Sequence, residues 1–327
     1  MEISFIIPVY NGEQFIRNCI CEIRRWEWEE QIEILIIDDG STDCTGIICD
    51  EEAAADKRVK VFHIENCGQG LARNYGLRAA AGKYICFADA DDRVDIRNIY
   101  RLWEQAKSVH ADVAMGGYYR TDDRTEEWVH VPGEGLMKRR GTDAEMGLYH
   151  KVKTQSMFGY VWNKLYKRKL FQGVYFPIGV IYEDISVMYD LIRKIEKLVY
   201  LPESKYNYYI RKDSIVNTNS HQKRVDELDS VIKRYKDAKR DFPELEQENA
   251  YALVMWMIRV YTYTVKENDP NDTFIKEQYE LFQSESQKYL CYILTNLKPF
   301  KRMILIAMLW DLEKGKEVVR MDGVLHE

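Results

Sequence analysis

The sequence predicts an α/β fold, a mainly parallel sheet flanked by helices, followed by an α-helical C-terminal region. Three observations carry that reading. Over the first 120 residues short apolar runs alternate with segments of helical period, the pattern of βαβ units. Polar residues gather where those runs stop. From Lys223 onward apolar residues recur at helical spacing alone. The expected division falls between residues 1–220 and 221–327, in keeping with a 327-residue chain at roughly 150 residues per domain.

Ile3-Ser-Phe-Ile-Ile-Pro-Val9 is a short apolar run closed by Asn11-Gly12, as in a strand buried on both faces. Phe15, Ile16, Cys19, Ile20 and Ile23 then mark a helix. Glu33–Asp38 reads as a second strand, with Ser41-Thr42 placed to cap the helix after it. Val59–Ile64 is a third strand. A helix from about Leu71 to Ala81 would stop at Gly82, read as the glycine that follows a helix end. Lys83–Ala88, a helix over Ile96–Val109 and a strand over Asp112–Tyr118 complete the series. In parallel sheets ligands bind beyond the carboxyl ends of the strands.

The polar residues sit at those ends: Pro8, Tyr10 and Asn11; Asp38-Asp39-Gly-Ser-Thr-Asp43; and Asp89-Ala-Asp91-Asp92. Asp43 and Asp95 read as helix caps. Three carboxylates within four residues repel one another unless a cation or a basic group offsets them. Strand alternation would aim Asp89 and Asp91 to one side, which suits a hard divalent ion that also binds substrate phosphates.

Composition narrows the classes. At 46% hydrophobic and 31% charged the chain can bury a core, and a net charge of −6 argues against a general nucleic-acid binder. Seven cysteines without a CxxC pair read as thiols in a reducing compartment. The start of the chain shows no signal-peptide pattern. The longest apolar run, Met303–Trp310, is far short of the ~20 residues that span a bilayer. The expectation is a soluble, cytoplasmic protein. A nicotinamide-binding fold would need GxGxxG directly after the first strand; Tyr-Asn-Gly-Glu stands there instead.

Four stretches together resemble family 2 glycosyltransferases of the GT-A fold: Phe5-Ile-Ile-Pro-Val-Tyr-Asn11, Ile37-Asp-Asp-Gly-Ser-Thr-Asp43, Gly70-Leu-Ala-Arg-Asn-Tyr-Gly76 and Phe87-Ala-Asp-Ala-Asp-Asp92. The likeness covers the first 120 residues firmly. It extends loosely to about residue 220, where Val161–Arg168, Tyr182-Glu-Asp-Ile185 and Tyr206–Ile215 resemble the bacterial subgroup that builds surface polysaccharides. That subgroup often has two arginines in the last stretch; Arg211 remains, and Tyr209 takes the other place.

The resemblance implies an inverting, metal-dependent enzyme that moves a sugar from a UDP-sugar to a glycan or lipid-linked acceptor. Pro8, Tyr10, Asp39 and Arg73 would line the nucleoside pocket, with Asp39 accepting from the uracil imide. Asp91, helped by Asp89, would hold Mn²⁺ or Mg²⁺, and Asp92 would meet donor sugar or acceptor. Asn163 and Arg211 would meet the donor, and Lys164 a donor phosphate or the acceptor. Glu183-Asp184 opens a segment in which Ile185, Met188, Ile192 and Ile195 repeat at helical spacing. Acidic residues favour helix starts through the macrodipole, so spacing alone leaves the pair open between cap and catalyst. The resemblance makes Asp184 the general base and Glu183 its support. A sugar-nucleotide pyrophosphorylase, or a relative that binds nucleotide sugars without turnover, is the alternative.

The C-terminal helices are expected to shape the acceptor site or to make a homo-oligomer. Lys298-Pro-Phe-Lys-Arg302 followed by Met303–Trp310 admits two readings: an interfacial helix giving peripheral membrane contact, or a buried final helix of the bundle. A solid apolar run lacks a polar face, which favours the buried reading.

Overall fold

A computed structural model describes residues 1–27, 31–121, 126–129, 135–138, 159–180, 183–209, 221–267 and 272–325. The chain divides into two compact units, Met1–Lys212 and Asp213–Glu327.

The first unit is built on a mixed sheet. Its strands are β1 (Ile3–Val9), β2 (Ile32–Asp39), β3 (Val59–Ile64), β4 (Tyr84–Phe87), β5 (Val113–Thr121), β6 (Glu126–Val129), β7 (Gly135–Lys138), β8 (Lys164–Lys167) and β9 (Lys197–Tyr209). They lie in the order β3-β2-β1-β4-β8-β5-β9-β7, with β6 on β5. Pairs β1–β2, β2–β3, β1–β4 and β5–β9 are parallel, whereas β8 runs antiparallel between β4 and β5. Every residue of β1, β2 and β4 is buried, which explains their unbroken apolar runs. Helices α1 (Ile16–Arg24), α2 (Thr45–Ala55), α3 (Gln69–Ala79), α4 (Ile96–Ser108) and α5 (Glu183–Ile192) supply the crossovers and cover. Register aligns the strand ends: Val9 lies opposite Asp38, and Asp38 opposite His63. The acidic turns therefore open at one edge.

Two local expectations change. Ser41 and Thr42 do not cap α2. Ser41 Oγ accepts from the Asn11 amide and the Thr42 amide donates to Asn11 Oδ1, so this pair stitches the β1 turn to the β2 turn. Asp43 caps instead, accepting from the Thr45 amide at 3.0 Å. Gly82 is not a left-handed helix end, because α3 stops earlier, with Ala80 extended as its cap. Its lack of a side chain serves packing: an added Cβ would come within 2.5 Å of the Ser4 nitrogen. Asp95 caps α4 as expected, accepting from the Arg97 amide.

The second unit is helical: α6 (His221–Asp241), α7 (Glu246–Lys266), α8 (Thr273–Glu277), α9 (Tyr279–Lys288), α10 (Leu290–Asn296), α11 (Pro299–Trp310) and α12 (Leu312–Leu325). Leu253, Val254, Met257, Ile258 and Tyr261 of α7 lie at the heart of its core. The chain over α8–α10 is broken at Gln278 and Tyr289, and Tyr279 donates its hydroxyl proton to the Met308 carbonyl. Pro299 opens α11 at its first turn, where no N–H is needed. No described helix is long and apolar enough to cross a membrane.

Candidate active site

The site grows from the strand ends. After β2, Asp38 ties down its own turn: Oδ1 accepts from the Ser41 amide at 3.1 Å, and Oδ2 from His63 Nδ1 at 2.8 Å. Asp39 faces the other way and accepts from the amides of Cys67 and Gly68, each at 2.9 Å. These amides lead into α3, so Asp39 fixes where that helix begins. Each of its oxygens keeps a second lone pair for a ligand N–H. Pro8 is buried within β1, and Tyr10, just past the strand, is 52% exposed.

Helix α3 presents Gly70, Arg73 and Asn74 on one face, at the spacing of neighbours on a helix. Arg73 is buried and bridges two regions far apart in sequence: Nη2 donates to Asp89 Oδ1 at 3.0 Å, and Nη1 donates to Glu183. Its guanidinium lies over the Phe176 ring, 5.5 Å from the centroid. Asn74 holds the same segment, donating to the Phe176 carbonyl at 2.8 Å and accepting from the Phe176 amide at 2.9 Å. Gly70 lets that segment close in, since a Cβ there would stand 2.3 Å from the Pro177 oxygen.

After β4 the acids are crowded. Asp89 Oδ1 also accepts from Gln69 Nε2 at 3.2 Å. Burial raises the Asp89 carboxyl to about 6, the Arg73 charge pulls it down and Asp91 pushes it up. Asp92 is 4% exposed and is raised well above its ordinary range, by burial first and then by Asp89 and Asp91; the Tyr209 amide, which donates to it at 3.0 Å, works the other way. This repulsion is what a divalent cation relieves. Among the described residues no three His, Cys, Asp or Glu side chains converge as a cage. Two carboxylates completed by substrate phosphates and water are the usual habit of Mg²⁺, so the all-oxygen set of Asp89 and Asp91 fits such an ion.

Glu183 and Asp184 form the first turn of α5, as expected. Asp184 accepts from the Ile185 amide at 2.8 Å. Burial raises it to about 7, Glu183 adds to this, and Arg73 opposes. Burial also brings the Lys164 amine down to about 7, against the pull of Asp184. Lys164 is 1% exposed and donates to the Tyr160 carbonyl at 2.6 Å and to Asn163 Oδ1 at 2.5 Å. Asn163 in turn donates to the Gly116 carbonyl at 2.9 Å.

The structure thus brings Arg73, Asp89, Glu183 and Asp184 into one charge network, with Lys164 at its edge. Trp162 is core: it stacks on Tyr160, Tyr206 and Tyr208, with ring centroids 4.8, 4.6 and 5.5 Å away. Arg211 and Tyr182 lie outside the described residues. His221 belongs to the second unit, where its ring meets Phe274 edge-on. Asn74 and Gln69 were missed by sequence reasoning, although Asn74 stands inside a quoted motif.

Comparison with known proteins agrees with this architecture. Residues 4–174 match the family described as glycosyl transferase family 2. The chain is 34% identical over 219 residues to glycosyltransferase GlyA of Streptococcus pneumoniae, covering 65% of this chain but 31% of that protein. It is 32% identical over 228 residues to GlyG of the same organism, covering 66% of this chain and 73% of GlyG. Among solved structures, S. aureus TarS 1–349 in complex with UDP-GlcNAc superposes with a TM-score of 0.69 over 98% of this chain and 91% of that one, at 17% identity. At that identity the likeness establishes the fold, GT-A.

Proposed function

Since the chain belongs to glycosyltransferase family 2, we propose that it transfers a sugar from a UDP-sugar to a hydroxyl of a glycan or lipid-linked acceptor, with inversion, in building a bacterial surface glycan. One observation carries the reading: Arg73 joins a strand-end carboxylate, Asp89, to a helix-start carboxylate of α5, Glu183, at the mouth of the sheet. A capping role alone would leave Glu183 turned to its own helix, as Asp184 is through the Ile185 amide. UDP as the nucleotide draws on TarS, which is seen with UDP-GlcNAc.

In this mechanism Asp39 accepts the uracil imide proton's hydrogen bond with a spare lone pair, and Tyr10 and Pro8 flank the base. Asp91 and Asp89 would hold Mn²⁺ or Mg²⁺, whose charge supports the departing diphosphate. Arg73, bridging the two carboxylates of Asp89 and Glu183, fixes their spacing. Arg211 is assigned to the diphosphate from the sequence resemblance. Asp184 takes the acceptor proton as the acceptor oxygen bonds to the anomeric carbon and UDP leaves with the electron pair of the broken C–O bond. Attack opposite the leaving group inverts that carbon. A carboxyl near 7 is a better base than one near 4, at the cost of being half protonated at neutral pH. Lys164 sits too deep to reach out, so its charge acts on Asp184, and Asn163 anchors it.

The test is UDP release from a panel of UDP-sugars with Mn²⁺, with and without EDTA. Turnover of one donor that stops with EDTA and in Asp91→Ala supports the proposal. Absence of both turnover and calorimetric UDP binding would sink the nucleotide site.

A further inference from the structure

We propose that the outer face of α11 is a docking surface for an anionic lipid bilayer. The helix splits its apolar run between two jobs. Ile304, Leu305 and Met308 are buried in the core of the second unit. On the opposite side Met303, Ile306 and Trp310 are 54%, 54% and 82% exposed. Spaced by three and four residues, they form one stripe along a helix of about 18 Å. The objection that an apolar run has no polar face is therefore answered: the face turned from solvent belongs to the bundle, and the other is left bare.

Charge identifies the occupant. From residue 286 to residue 310 the chain carries Lys288, Lys298, Lys301 and Arg302 and no acidic residue, within a protein of net charge −6; Lys288 is paired with Glu246 at 2.9 Å, which leaves the three cations at the start of α11. Lys298 and Arg302 are exposed at the start of the stripe. Lys301, half-buried, adds its charge beside Lys298 at the same end of the helix. Carboxylates resume only past the stripe, where Asp311 caps α12 by accepting from the Glu313 amide. A tryptophan at the edge of an apolar stripe suits the headgroup boundary.

Area argues against a protein partner. The stripe is one helix wide, on the order of 200 Å² by helix dimensions, whereas a stable protein interface buries about 800 Å² on each side. An interfacial helix needs no more than its own apolar face and flanking cations. The inference does not depend on the transferase reading.

The experiment is flotation of the full chain with phosphatidylcholine vesicles, with and without phosphatidylglycerol, alongside sedimentation velocity. Binding is expected only when phosphatidylglycerol is present, and it should weaken with salt. Lys298→Gln and Arg302→Gln should each cost about fivefold, and Ile306→Asp with Trp310→Ala should abolish binding while the melting curve is kept. All four side chains are exposed, and because Arg302 also donates to the Leu297 carbonyl at 2.8 Å, the melting curve is recorded for Arg302→Gln as well. No binding to either vesicle, or binding unchanged by these substitutions, overturns the proposal. A dimer that dissociates in the Ile306→Asp, Trp310→Ala variant overturns it in favour of a second copy.

Discussion

Two acidic turns lie at the same edge of the sheet, one after β2 and one after β4, and they are built in opposite ways. In the β2 turn every oxygen of Asp38 and Asp39 has a donor from the protein: two backbone amides for Asp39, and an amide and an imidazole for Asp38. In the β4 turn Asp89, Asp91 and Asp92 are drawn together, and burial with their mutual repulsion raises Asp89 to about 6 and lifts Asp92 well above its ordinary range. The first arrangement is finished and serves as scaffold. The second stores repulsion that a ligand can release. Sequence shows both as clusters of aspartates; only hydrogen-bond accounting separates them.

Substitution at each turn gives the widest contrast. Asp91→Asn should lower UDP release by about 10²- to 10³-fold, the scale of losing one preorganised electrostatic group. Asp38→Asn should leave turnover within a small factor and reduce stability by about 1 kcal/mol, read by denaturant melting. Equal losses in both assays would erase the distinction.

The next test concerns Asp184. A base held near 7 is protonated below that pH, so kcat/KM should rise about tenfold per pH unit up to about 7 and then level. A plateau reached already at the ordinary carboxylate range, near pH 4 to 5, would remove Asp184 from the role.

A smaller effect is expected at Asn74. Its amide grips both backbone groups of Phe176, and Asn74→Ala leaves a buried N–H and C=O unpaired, costing about 1–3 kcal/mol. Because the same segment leads to Glu183, kcat should fall more than KM rises. A stability loss with kinetics unchanged would confine Asn74 to the fold.

Strand ends, the caps at Asp43 and Asp95, the three crowded aspartates and the acidic start of α5 were all legible, because each depends on residues close in sequence. What sequence could not reach was long-range. Arg73 and Glu183 are 110 residues apart, and Asn74 and Phe176 102. The stacking of Tyr206 and Tyr208 on Trp162, more than 40 residues away in the chain, was likewise out of reach. In α11 the apolar run gave no sign of which side would be covered, since that depends on where the other helices of the unit lie.

The smallest effect lies at His63 and bears on whether the β2 turn is finished. Its two ring nitrogens face Asp38 and Asp50, at 2.8 and 3.2 Å, and the hydrogen bond to Asp38 raises its pKa above the ordinary value, against some loss from burial. A raised value in the folded state means that the proton stabilises the fold. That contribution is complete below about 6.5, the unfolded value, and is lost as pH rises through the folded one. His63 is about half exposed, so solvent screening keeps the effect small. The melting temperature of the wild type relative to His63→Gln should therefore narrow as pH rises past neutrality. A gap that does not change with pH would mean the imidazole acts as a neutral donor, with Asp38 held mainly by the Ser41 amide. A gap that widens with pH would reverse the sign and leave the β2 turn, like the β4 turn, short of positive charge.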